Sequence, residues 1–157
     1  MKLVSGPWDE RRVGTWLTGA RIPVRLAVLA GRGPLVVSLW YHFDGEALWC
    51  ATSAGADVVQ HVRADPRVGV EVAPDLPPYR GVRGTGRAEI VPERGVEMLE
   101  RMLGRYLDPV NATLAESLRA GADDEVALRI GELTLSSWDF SRRMRPQESG
   151  PILPQVP

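Results

Sequence analysis

The segment of residues 48–72, LWCATSAGADVVQHVRADPRVGVEV, constrains the fold of this chain more than any other part of the sequence. Its apolar run ends at Thr52 and Ser53, a short helical stretch follows, Asp65-Pro66 interrupts it, and an alternating strand then resumes. A strand that turns through a polar corner into a helix leaves the N–H groups of the helix N-terminus pointing outward. The segment therefore predicts a corner that is able to hold an anion.

The rest of the chain is a series of strand patterns separated by turn signals, with helical patterns between them. Asp44-Gly45 between two apolar runs is typical of a β-hairpin, and three glycines within residues 79–90 indicate a bulge or the close approach of another backbone or a ligand. Strands are predicted at residues 24–29, 35–42, 47–52, 67–72, 79–90 and 125–140, and helices at residues 9–20, 56–63, 93–107 and 111–119. Six strands with short turns predict a mainly β (α+β) protein, a small antiparallel barrel with peripheral helices.

Length and composition predict one soluble domain. The chain has 157 residues, of which 44% are hydrophobic, which is enough for one sizeable core. A net charge of −1 gives no support for a nucleic-acid partner. No apolar run approaches the roughly 18 residues of a membrane span, and the N-terminus lacks an apolar signal core, so a cytoplasmic protein is expected. The proline-rich tail at 145–157 is expected to be mobile.

The cysteine and histidine content excludes several kinds of site. Cys50 is the only cysteine, so the chain forms no intrachain disulfide and no multi-cysteine metal site. Inside an apolar strand, Cys50 is expected to be a buried, inert thiol. His42 and His61 have no cysteine or carboxylate at ligand spacing, and they define no Ser/His/Asp arrangement. Neither a metal site nor a set of catalytic side chains is predicted.

Six short phrases, in order along residues 21–142, resemble the flavin-binding split-barrel family that includes pyridoxamine 5'-phosphate oxidases and deazaflavin-dependent reductases. They are GPLVVSLWY from Gly33, DGEALWCATS from Asp44, the exit DPRV from Asp65, PYRGVR from Pro78, GRAEI from Gly86, and SWDF from Ser137. The resemblance implies a six-stranded FMN-binding split barrel that forms a homodimer, with two cofactor sites in the groove between the subunits. It further implies FMN, or a 5-deazaflavin coenzyme, and two-electron redox chemistry on a small-molecule substrate.

The resemblance also implies which residues hold the cofactor. They are Arg25, Ser38, Trp40, Thr52, Ser53, His61, Arg80, Arg83 and Trp138. The hydroxyl groups of Thr52 and Ser53, together with arginines, would hold the cofactor phosphate. Backbone amides of the strands would contact the ring, and no side chain has to act as an acid or a base.

Each of these residues also has an ordinary structural interpretation. Thr52 and Ser53 would cap the helix that follows them. Arg25 would form an ion pair with a carboxylate such as Glu71. The tryptophans would pack in the core or at an interface, and the histidine and the other arginines would lie on the solvated surface.

The short helix departs from the family pattern at two positions. The family usually carries a basic residue there to hold the cofactor phosphate, whereas this chain has Asp57 and Val58. A carboxylate repels a phosphate, and valine offers no donor. This departure keeps a second function open: a non-catalytic split-barrel dimer that has lost flavin and binds another ligand, such as a tetrapyrrole.

Overall fold

A computed structural model of the protein describes residues 1–31 and 33–144. Its strands are β1 (Lys2–Ser5), β2 (Val24–Ala30), β3 (Gly33–Leu39), β4 (His42–Phe43), β5 (Leu48–Ser53), β6 (Arg67–Val72), β7 (Arg80–Val91) and β8 (Glu125–Asp139). Its helices are α1 (Glu10–Gly19), α2 (Asp57–Ala64), α3 (Gly95–Tyr106) and α4 (Ala112–Ala120). The tail predicted to be mobile, 145–157, lies outside the described residues. No helix in the described part of the chain is long and apolar enough to cross a bilayer.

The strands form one curled sheet with a gap in it. Seven strands hydrogen-bond in the order β3-β2-β6-β7-β8-β5-β4, each pair antiparallel, and β1 pairs with β8 in parallel. The two ends of this path, β3 and β4, do not pair with each other. The mainly antiparallel split barrel with peripheral helices is therefore confirmed. The predicted number of six strands is wrong, because β1 and β4 were missed: with four and two residues, they are too short to show a periodic pattern.

One apolar core fills the inside of the sheet. Alternate residues of β2 and β6 point inward, and the inward set is at most 5% exposed: Val24, Leu26, Val28, Val68, Val70 and Val72. Helix α3 covers the other face of β5 and forms a second cluster with it, which includes Trp49 and Met98. β5 is thus covered on both faces, which explains why its sequence is continuously apolar rather than alternating.

The two longest strands, β7 and β8, approach each other unusually closely. Their register shifts between Thr85 and Arg87. A Cβ atom added to Gly84 would lie 2.0 Å from the carbonyl oxygen of Thr134. The glycines of β7 therefore mark a bulge and the close approach of another backbone, as their positions predicted.

Side chains from elsewhere in the fold hold the C-terminal end of α1. Arg105 of α3 donates hydrogen bonds to the carbonyl oxygens of Thr18 and Ala20, both at 2.6 Å. The buried hydroxyl of Tyr41 donates to the carbonyl of Leu17 at 2.8 Å. Because the last turn of α1 has no basic residue of its own, Arg105 supplies the cation that a helix C-terminus favours.

Cys50 lies in the core and is expected to be unreactive in the folded protein. It is fully buried, and burial raises the pKa of its thiol to about 12. In mildly alkaline buffer the thiol is therefore protonated and inaccessible, whereas the thiolate is the reactive form. We expect a fluorescent maleimide to label the unfolded protein in guanidinium and to leave the folded protein unlabelled over the same time. Rapid labelling without denaturant would contradict this placement.

Candidate functional site

A cavity of about 270 Å³ opens where β3 and β5 come together without pairing. We call it the split cavity. Ser38 and Trp40 line it from the end of β3, Thr52 and Ser53 line it from the end of β5, and α3 closes its base. Four of the residues predicted from the sequence thus surround a single space.

The polar corner is the turn that leads from Thr52 and Ser53 to α2. The hydroxyl of Ser53 makes its hydrogen bonds within this corner. Its Oγ donates to Oδ2 of Asp124 at 2.7 Å and accepts from the N–H of Gly55 at 3.2 Å. Ala56 is the N-cap residue of α2, and no side chain caps this helix. The predicted capping of the helix by Thr52 or Ser53 is therefore wrong, because the turn that follows β5 separates these residues from the helix.

Acidic side chains lie in the split cavity and at the polar corner beside it. Glu125 lines the cavity, and Oε2 of Glu125 is buried with no hydrogen-bond partner among residues 1–31 and 33–144. Burial, and then the nearby charge of Asp124, raises the pKa of the Glu125 carboxyl. Asp57, in the first turn of the helix that follows the polar corner, is a third acid, although it does not line the split cavity. Such a corner repels a phosphate rather than attracting it.

Residues on five strands form a row across the outer face of the sheet. The register pairs Ser38 with Arg25, Arg25 with Glu71, Glu71 with Arg83, and Arg83 with Ser136. We call these five residues the outer-face row. A cavity of about 530 Å³ lies along four of these residues, and the fifth, Ser38, lines the split cavity. The structure therefore brings three predicted residues into one line.

The two arginines of the outer-face row differ in their contacts. Arg25 pairs with Glu71 at 3.4 Å and with Asp75, so the ion pair considered as its structural role is present. Arg83 has no carboxylate partner in the described part of the chain, and its guanidinium lies 5.3 Å from the centroid of the Trp138 ring. Arg83 is therefore the cation of this face that an anion can reach.

Small side chains form a floor beside the outer-face row. The register places Val36, Ala27, Gly69 and Thr85 in a second row. A Cβ atom on Gly69 would make only ordinary contact with that of Ala27, at 3.4 Å, and because glycine has no side chain the surface at this position is low. Such a floor can accept a planar group without steric conflict.

Three predicted residues are placed elsewhere or are partly covered. Arg80 and Arg83 lie on opposite faces of β7, because residues three apart in a strand point in opposite directions. His61 lies in the last turn of α2 and lines neither of the two cavities. Trp40 stacks on Tyr106, with ring centroids 5.1 Å apart and planes at 5°, so one face of its indole is covered.

The sequence analysis missed two residues that line these cavities, Glu125 and Ser136. Glu125 was assigned only to the start of a strand, and nothing near it in the sequence indicates that it lies opposite Ser53. Ser136 was also missed, although a signal existed. Thr134, Ser136 and Trp138 alternate with buried residues along β8, which places all three on the outer face. The described residues contain no group of three or more histidine, cysteine, aspartate or glutamate side chains that could hold a metal ion.

Comparisons with known proteins agree with this architecture. A protein named F420 reductase is similar over 78% of this chain and 94% of its own, with a TM-score of 0.63 and 23% identity. An FAD-binding protein from Mesorhizobium loti is similar over 83% and 93%, with a TM-score of 0.60 and 21% identity. A search of curated proteins finds no significant match.

Two further findings concern the family. The conserved hypothetical protein Rv2991 from Mycobacterium tuberculosis has a TM-score of 0.69 and 25% identity, over 91% of this chain and 92% of its own. The family model for pyridoxamine 5'-phosphate oxidase matches residues 21–137, from the start of the barrel almost to its last residue. The chain therefore belongs to the pyridoxamine 5'-phosphate oxidase family.

Proposed function

We propose that this chain is a cytoplasmic, homodimeric oxidoreductase that binds FMN or a deazaflavin coenzyme along its outer-face row and acts on a small molecule. One observation carries the proposal: Ser38, Arg83 and Trp138 share one exposed sheet face with a floor of small residues. Family membership supports the cofactor class, as do the similar proteins named for F420 and FAD. When bound, such a cofactor supplies the hydride chemistry.

The residues of the outer face suit the two parts of such a cofactor. The floor around Ala27 and Gly69 accepts a flat ring, and Ser38 offers a hydroxyl at the edge of that floor. Arg83 offers an unpaired guanidinium to a phosphate or carboxylate, which Trp138 orients from below by cation–π contact. The polar corner of the split cavity does not suit a phosphate, because it is acidic. We therefore assign the anion to Arg83 instead of to Thr52 and Ser53.

The proposed second subunit would cover the same face. Val36 is 58% exposed and Leu29 is 47% exposed, and both lie on the outer side of the sheet. Exposed apolar side chains of this kind on a sheet face are typical of subunit interfaces. A second copy packed there would exclude water from the ring of a bound cofactor.

Titration of the protein with FMN and with F420, followed by quenching of cofactor fluorescence, tests the proposal. We expect one of the two to bind with a dissociation constant on the order of micromolar. Arg83→Gln should weaken that binding about tenfold, since a hydrogen bond to a charged group is lost. Arg87→Gln is the matched control, because Arg87 lies on the same strand but does not line the outer-face cavity.

Three outcomes would speak against parts of the proposal. Equal weakening by Arg83→Gln and Arg87→Gln would mean that net charge, and not a site, attracts the cofactor. A loss on Thr52→Ala with none on Arg83→Gln would move the phosphate to the polar corner. If neither cofactor binds below millimolar concentration, the oxidoreductase is rejected, and a non-catalytic ligand-binding dimer becomes the better description.

A further inference from the structure

A separate cavity of about 450 Å³ lies between α1 and the beginning of β7. Trp8, Arg12, Trp16, Gly19, Ile22 and Arg80 are among the residues that line it. Its volume falls within the range of cavities that hold small organic ligands in proteins. It lies on the face of β7 opposite Arg83, so it is not part of the outer-face row.

Two tryptophans lie at one wall of this cavity, and hydrogen bonds set their orientation. Trp16 is half-buried, whereas Trp8 is only 3% exposed and carries the Arg12 guanidinium 4.7 Å from its ring centroid. Nε1 of Trp8 donates to Asp139 at 3.2 Å, and Nε1 of Trp16 donates to the carbonyl of Val72 at 3.1 Å. The two rings lie 5.2 Å apart at an angle of 53°. Because both indole N–H groups are already bonded to the protein, the wall offers a ligand only aromatic surface.

Only one of the two arginines that line the cavity forms an ion pair. Arg12 forms an ion pair with Asp139 at 3.0 Å. Arg80 has neither a carboxylate nor a carbonyl partner among residues 1–31 and 33–144, and its guanidinium lies 5.5 Å from the ring centroid of Trp16. Arg80 is half-buried, so its guanidinium is partly shielded from water. The cavity thus combines aromatic surface with one guanidinium that forms no ion pair among the described residues, although Asp139 lies opposite it on β8.

We propose that this cavity binds a small planar acid, with its ring against Trp16 and Ile22 and its carboxylate paired with Arg80. A guanidinium forms two parallel hydrogen bonds with a carboxylate, and the aromatic wall excludes water from that pair. The proposal does not depend on the flavin-type cofactor. It gives Arg80 a role other than the cofactor contact that the family resemblance implies.

Binding of naphthoate, compared with its uncharged amide, tests the role of Arg80. Isothermal titration calorimetry should give naphthoate at least about tenfold tighter binding than naphthamide, because only the acid pairs with Arg80. In Arg80→Gln the two compounds should bind about equally. Arg11→Gln is the charge control, since Arg11 is exposed on α1 and does not line the cavity. Equal affinity of acid and amide for the unmodified protein would overturn the proposal.

Substitutions of two glycines in α1 test whether naphthoate binds in this cavity. Gly19 lines the cavity and Gly14 does not, and a Cβ atom on either would meet nothing within 4 Å. Gly19→Leu should fill the cavity and weaken naphthoate binding at least about tenfold, while Gly14→Leu should leave it unchanged. Thermal unfolding of both variants checks that they fold. Naphthoate binding to folded Gly19→Leu as tight as to the unmodified protein would overturn the proposal.

Discussion

Replacing Gly95 by alanine is expected to lower the free energy of unfolding by about 3 kcal/mol, the upper end of the usual cost of overpacking. Gly95 is buried at the first position of α3 and sits directly against the beginning of β8. A Cβ atom there would lie 1.9 Å from the carbonyl oxygen of Glu125 and 2.4 Å from its carbon. Backbone cannot yield as the end of a flexible side chain can, so α3 and β8 must move apart. Urea denaturation at equilibrium measures the loss.

Gly104→Ala is the matched control for this substitution. Gly104 lies in the same helix, and a Cβ atom there would meet nothing within 4 Å. Alanine in a helix interior is favoured over glycine, so this variant should be more stable by about 0.5–1 kcal/mol. We therefore expect Gly95→Ala to lower the free energy of unfolding and Gly104→Ala to raise it. Equal stability of the two variants would contradict the close contact between α3 and β8.

The second large effect is expected at Arg105. Substitution by methionine keeps much of the apolar stem and removes the guanidinium, and we expect a loss of about 2 kcal/mol in the free energy of unfolding. The guanidinium holds the carbonyl oxygens of Thr18 and Ala20, and it also lies 5.4 Å from the ring centroid of Tyr41. Its removal takes the guanidinium donor away from the carbonyl oxygens of Thr18 and Ala20, and leaves the Tyr41 hydroxyl to hold that of Leu17. The change in the urea midpoint, at constant slope, measures the effect.

Arg101→Met supplies the comparison for Arg105, because Arg101 lies one turn earlier in the same helix. Its ion pair with Glu97, at 3.1 Å, joins two exposed side chains. Such pairs contribute between zero and about 1 kcal/mol, so the loss should be clearly smaller than for Arg105. Similar losses for the two arginines would mean that Arg105 acts only as a surface charge.

The elements predicted best are those whose signals are local. The strand predicted at 67–72 is β6 to the residue, because Asp65-Pro66 interrupts the helix before it and its valines alternate strictly. The helix predicted at 9–20 differs from α1 by one residue at each end, and Asp9 is the N-cap residue at its start. In contrast, the strand predicted at 35–42 joins β3 to β4, since the break at residues 40–41 has no glycine or proline to mark it.

The same distinction between local and long-range signals applies to the residues of the candidate site. The opposite directions of Arg80 and Arg83 follow from their spacing alone, so the sequence contained that information. The pairing of Arg25 with Glu71 was foreseen as an alternative, and the structure contains it. The acid at Asp57 was foreseen, but the contribution of Asp124 to the polar corner could not be, because Asp124 lies 71 positions from Ser53 and meets it only through the pairing of β5 with β8. Long-range contacts of this kind have no local signature.

The parallel pairing of β1 with β8 has a consequence for how copies of this protein meet. β5 covers one edge of β8 only as far as Ile130, and β1 covers that edge from Thr134 to Ser136. Without β1, the last part of β8 would present unpaired N–H and C=O groups, the usual starting point for strand-to-strand aggregation. Although β1 has only four residues, it therefore protects this edge of β8 from pairing with a strand of another copy.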